Sequence, residues 1–164
     1  MRLKLACAAG VLLFASSGAY AQLSSTITLT SDYDFRGFSQ SAKDPALQAS
    51  LDYDFGNGFA VGAWASNIDF EPADGDIEVD FYGSYSGEIN EDTSWSAGAT
   101  WYSYPGSDDI QEYAELYGGI DKGPLGFKLW YSPDLYDIGE SAWYTEGNAI
   151  WRSEERRVGK ECRS

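Results

Sequence analysis

Apolar and polar residues alternate with a period of two, in segment after segment of about ten residues, through most of this 164-residue chain. From Thr26 to Arg36 the even positions are all polar: Thr26, Thr28, Thr30, Asp32, Asp34 and Arg36. The odd positions are Ile27, Leu29, Ser31, Tyr33 and Phe35. A period of two places the two sets on opposite faces of a β-strand. The same alternation runs through residues 47–55, 77–85, 95–102 and 125–132, and more weakly through 59–68, 110–121 and 141–151. It predicts eight strands, each with one apolar and one polar face, and no helix after the N-terminal leader.

The connections alternate too. Short turns are expected at Gly56-Asn57-Gly58, Asn90-Glu91-Asp92 and Lys122-Gly123-Pro124, residues suited to tight hairpins. Longer polar loops fall between them at 37–45, 69–76, 105–109 and 133–139. Short turns on one side and long loops on the other mark an antiparallel up-and-down transmembrane β-barrel, with the turns in the periplasm and the loops outside. Strand length fits, since about ten residues at roughly 3.3 Å each, tilted near 45°, rise about 24 Å. The fold class expected is therefore all-β, with about eight strands of such a barrel present. The alternative with the same period is a soluble exported binding barrel, which would turn its apolar face inward.

Both ends of the chain differ from this body. Met1-Arg2-Leu3-Lys4, the apolar run Leu5–Ala15 and the Ala19-Tyr20-Ala21 site read as a cleavable signal peptide over residues 1–21. From Arg152 the chain loses its aromatics and turns basic. Residues 152–162 match the in-frame translation of a common sequencing adapter, so 152–164 is expected to be a non-native tail. The barrel is then expected to occupy residues 22–151, with four basic against 23 acidic residues. Cys7 and Cys162 both lie outside it. An exported body without cysteine has no disulfide framework.

Charge and composition narrow the function. An excess of acid on this scale excludes a basic surface for nucleic acid. The chain has no histidine, which removes Ser-His and Cys-His catalysis and histidine-based metal sites. Carboxylates are too abundant for any one pair to mark a glycosidase site, and no enzymatic activity is expected. Asp74, Asp76, Glu78 and Asp80 lack the EF-hand spacing, and strand alternation already accounts for Glu78 and Asp80. No metal and no cofactor are expected.

With the apolar face toward outer-membrane lipid, the polar face lines a lumen. Following strand direction, Asp34, Arg36, Glu78, Asp80, Tyr102, Tyr104 and Trp130 fall in its extracellular half, and Glu115 and Lys128 lie near the middle. Asp52 and Asp54 fall toward the periplasm. Aromatic girdles are expected from Phe55, Phe59 and Trp95 beside the short turns, and from Phe35, Trp101 and Tyr131 toward the loops. An acidic lumen with a basic residue near its mouth favours cations over anions. Porin-like passage of small solutes or cations is therefore expected, with a non-conducting barrel acting through its outer loops as the alternative.

The motifs Ser31-Asp-Tyr-Asp-Phe-Arg-Gly-Phe-Ser-Gln40, Asp44-Pro-Ala-Leu-Gln-Ala-Ser-Leu-Asp-Tyr53, Gly62-Ala-Trp-Ala-Ser-Asn67 and Glu78-Val-Asp-Phe-Tyr-Gly83 form a recognisable series. Tyr102-Ser-Tyr-Pro-Gly106, Tyr113-Ala-Glu-Leu-Tyr117 and Tyr131-Ser-Pro-Asp134 continue it. Over about residues 26–151 the chain resembles the uncharacterised proteobacterial family Gcw_chp. The resemblance implies a place in the outer membrane of a Gram-negative bacterium and assigns no activity. Members of that family exceed 130 residues, which implies that further strands belong to the intact barrel.

Overall fold

The computed structural model describes residues 11–13, 22–70 and 73–150. Leader cleavage after Ala21 and the tail from Arg152 fall outside the described residues, except for the three-residue strand β1 (Val11–Leu13).

Eight long antiparallel strands follow: β2 (Leu23–Thr30), β5 (Ala46–Asp54), β6 (Phe59–Asn67), β7 (Ile77–Asn90), β8 (Thr93–Ser103), β9 (Tyr113–Lys122), β10 (Leu125–Ser132) and β11 (Ala142–Ala149). A small hairpin, β3 (Asp34–Phe35) with β4 (Phe38–Ser39), lies between β2 and β5. The large sheet runs β1-β2-β5-β6-β7-β8-β9-β10-β11, each long strand pairing with its neighbour in sequence. This is up-and-down connectivity. Among the described residues β2 and β11 do not pair, so the sheet they bound is open.

Connection lengths alternate as the sequence predicts. β7 and β8 are joined by Glu91-Asp92, and β9 and β10 by Gly123-Pro124, with Gly123 at a positive φ of 55°. At the opposite end the long connections bond to one another. Asp69 N donates to Gln40 O at 2.8 Å, and Asp74 N donates to Asp109 Oδ2 at 3.2 Å.

The two faces of the sheet are inverted relative to a water-soluble protein. Eighteen large apolar side chains on the long strands are exposed, among them Ile27, Leu51, Phe81, Trp101, Leu116 and Phe127. The opposite face buries Glu78, Asp80, Tyr102, Glu115, Ser66 and Ser132. What apolar core exists lies under the long connections, where Tyr33, Tyr102, Tyr104, Tyr113 and Ile68 cluster.

Glycines on the polar face make room for tyrosines. Gly62 on β6 lies opposite Tyr82 on β7, and a methyl group there would collide with the Tyr82 ring. Gly98 stands in the same relation to Tyr117 of β9.

The first strand needs a correction. The alternation predicts a strand from Thr26 through Arg36, yet β2 stops at Thr30. Thr30 Oγ1 donates to Asp32 O at 2.8 Å, and Ser41 Oγ accepts the Tyr33 N–H at 3.0 Å. These side chains satisfy backbone groups that would otherwise continue the ladder, and the chain turns inward instead.

Candidate functional site: a polar interior closed by an inward hairpin

Arg36 and Gly37 form the two-residue turn of the β3–β4 hairpin, with φ values of 53° and 90°. Two positive φ angles match the right-handed twist of a tight hairpin. Arginine in that region carries strain on the order of 1 kcal/mol. The Asp34 carboxylate supports the turn by accepting the Gly37 N–H at 2.9 Å.

The hairpin carries Arg36 onto the polar face of the sheet. Its Nη1 donates to Glu115 Oε1 at 2.8 Å and its Nη2 to Glu115 Oε2 at 2.6 Å. Tyr102 Oη donates to the same Oε2 at 3.1 Å. Glu115 is 2% exposed, and this bidentate pairing satisfies both of its oxygens. The guanidinium also lies 4.6 Å from the Phe35 ring centre and 4.2 Å from that of Tyr144. Burial works against the Arg36 charge, but the hydrogen bond and charge of Glu115 outweigh it and raise its pKa.

Strand register orders the interior into rows. Ser50, Trp64, Asp80, Tyr102 and Tyr113 form one row across β5 to β9. Asp52, Gly62, Tyr82, Thr100 and Glu115 form the next row toward the short turns. Tyr82 Oη donates to Asp52 Oδ1 within that second row. Tyr33 packs edge-on against Trp64 at 5.2 Å, Phe35 against Tyr102 at 5.9 Å, and Tyr102 stacks on Tyr113 at 4.6 Å. Burial raises the Tyr33 pKa, and the Glu78 charge adds to that shift, so the phenol stays protonated.

The structure places the sequence-predicted residues unevenly. Arg36, Glu78, Asp80, Tyr102, Tyr104 and Glu115 gather at the long-connection end. Trp130 is half-buried with its ring centre 5.7 Å from the Arg36 guanidinium, and Lys128 is half-buried nearer the short turns, its ammonium 5.2 Å from the Tyr117 ring centre. Asp52 is half-buried beneath Tyr82. Asp54 lies on the polar face beside the first short turn, where its Oδ1 caps the Gly56 N–H. Two placements differ from expectation. Asp34 is exposed on the hairpin. Phe35 does not face outward with a girdle but packs inside on Tyr102, because the break after Thr30 reverses its face. Of the other girdle residues, Phe55, Phe59, Trp95 and Trp101 are exposed, and Tyr131 is half-buried against Trp143.

Sequence reasoning missed Tyr33 and Tyr113. Tyr33 carries no signal, since its odd position puts it on the apolar face of an unbroken strand. Tyr113 does carry one, because it shares the parity of Glu115. Among the described residues no group of three or more Asp, Glu, His or Cys is arranged to hold a metal ion.

The chain belongs to the family Gcw_chp, bacterial proteins of unknown function, whose family model matches residues 15–153. No curated protein and no solved structure matches the chain.

Proposed function

We propose that this member of the family contributes its strands to an outer-membrane β-barrel whose acidic interior favours small cations over anions. The observation carrying the proposal is the inversion of polarity across the sheet. Half-covering eighteen large apolar side chains with lipid contributes roughly 1 kcal/mol each, on the order of 20 kcal/mol in all. A typical domain is stable by only about 5–15 kcal/mol, so a face of this size left in water would drive aggregation. Lipid is the solvent that suits it. A soluble binding barrel would hide the same side chains and expose the carboxylates.

Up-and-down connectivity with short turns at one end supports the same reading. The leader at residues 1–21 supplies the route of export. The protein is expected to fractionate with the outer membrane and to run faster in detergent gels before heating than after. Recovery mainly in the soluble periplasm, with no heat-dependent shift, would rule the proposal out.

A second reading has its own support. The hairpin lies on the polar face with Arg36 paired to Glu115, and it fills part of the interior. A barrel filled in this way is non-conducting and acts through its outer connections. Planar-bilayer recordings separate the two: stepwise cation-selective conductance supports passage, and a silent bilayer containing folded protein supports the filled barrel.

A further inference from the structure

We propose that Asp80 and the aromatic walls beside it, with Glu78 next along the same strand face, form a binding site for a small organic cation bearing an ammonium group. Asp80 lines a cavity of about 340 Å³ shared with Tyr33, Phe35, Trp64, Tyr82 and Tyr102. Glu78 and Asp80 are 3% and 8% exposed; the Glu78 carboxyl accepts a hydrogen bond from the Tyr33 hydroxyl, while Glu78 Oε2 and Asp80 Oδ1 have no hydrogen-bond partner. A buried carboxylate oxygen without a partner is costly, and a cation seated beside it offsets that cost.

The same interior shows how it receives a cation. One row away, Glu115 takes the Arg36 guanidinium in a bidentate pair, flanked by Phe35 and Tyr144. Carboxylate plus aromatic faces is also the chemistry around Glu78 and Asp80. No basic side chain of the described residues completes it. Arg36 is committed to Glu115, Lys128 lies against Tyr117, and Lys43 and Lys122 are exposed.

The wall chemistry selects the ligand class. Calcium wants six to eight oxygen ligands, which two carboxylates among aromatic rings do not supply. An alkylammonium meets both demands, charge against the carboxylates and CH groups against the π-faces of Tyr33, Trp64 and Tyr102. The cavity has the size of a small-molecule site. The inference deepens the cation-favouring reading and rests on it for the polarity of the interior.

The test uses the full chain folded in detergent, with benzylammonium as the probe and uncharged benzyl alcohol as its isostere, followed by calorimetry and tryptophan fluorescence. Benzylammonium is expected to bind about tenfold or more tightly than the alcohol, the difference carried by the charge. The double variant Glu78→Gln/Asp80→Asn should erase that difference, while Asp121→Asn beside the short turns should keep it. Asp80→Asn alone, which alters the carboxyl whose Oδ1 has no partner, should also leave the unfolding temperature unchanged or higher. Equal affinity for amine and alcohol, an affinity difference that survives in the double variant, or calcium displacing the amine at equal concentration each overturns the site. So does a fall in the unfolding temperature of Asp80→Asn, because that carboxylate would then be engaged within the protein. Heat-dependent gel mobility reports the barrel independently, so failure of the site and failure of the barrel are told apart.

Discussion

The two ends of the sheet are built from the same strands and differ in what fills them. At the long-connection end the polar face is covered by the β3–β4 hairpin, and Tyr33, Tyr102, Tyr104, Tyr113 and Glu115 are all buried. At the short-turn end the polar-face residues Glu88, Asp121 and Glu146 are exposed. Strand alternation sorts side chains to faces at both ends, but it provides no covering layer. The covering layer comes from the break in the first predicted strand, and beneath it Glu115 is paired with Arg36, while the carboxylates of the other end face solvent.

The largest predicted effect comes from breaking that pairing. Arg36→Ala leaves Glu115 buried without its cation, and Glu115→Ala leaves the guanidinium without its acceptor. Each is expected to cost about 3 kcal/mol in urea unfolding from lipid vesicles. In a conducting barrel Arg36→Ala also increases cation preference, read as a shifted reversal potential under a salt gradient. Losses no greater than for Lys43→Ala, whose side chain is exposed, would mean that the hairpin does not hold the interior together.

Next come the glycines that receive tyrosines. Gly62→Ala and Gly98→Ala place a methyl group against the Tyr82 and Tyr117 rings, and each is expected to cost roughly 1–3 kcal/mol. Gly118→Ala, with open space where its methyl would stand, is the control. Equal effects at all three positions would point to β-propensity and not to the close approach of the rings.

The smallest effects belong to the open end. Asp121→Asn and Lys43→Ala are each expected to change stability by no more than about 0.5 kcal/mol. A large loss from Asp121→Asn would show that the short-turn end is also a packed interior, and the contrast between the ends would fail.

Much of this layout is legible in the sequence. The eight segments of alternation fall on the eight long strands, and the parity of Glu78, Asp80, Tyr102 and Glu115 puts them on the face that the structure buries. The end of β2 is not legible, because Tyr33 and Phe35 continue the alternation past the point where the strand stops. The break is set by contacts distant in sequence, such as Ser41 Oγ at the Tyr33 N–H and Glu115 at Arg36. Periodicity is a local property and carries no trace of them. It also leaves open how the sheet curves and whether its edges meet, since both depend on the full number of strands.

The central claim is that the apolar face of the sheet meets lipid while the polar face does not. With Cys7 and Cys162 replaced by serine, the chain has no other cysteine, so single cysteines can be placed along β8 at positions 95 to 101. Spin labels at these sites in lipid vesicles report contact with oxygen dissolved in lipid against contact with a water-borne nickel chelate. The account predicts a period of two: high oxygen and low nickel contact at Trp95, Ala97, Ala99 and Trp101, and the reverse of that preference at Ser96 and Thr100, with Gly98 kept as glycine because Tyr117 fills its side. High nickel contact at the odd positions, or no alternation along the strand, would contradict it.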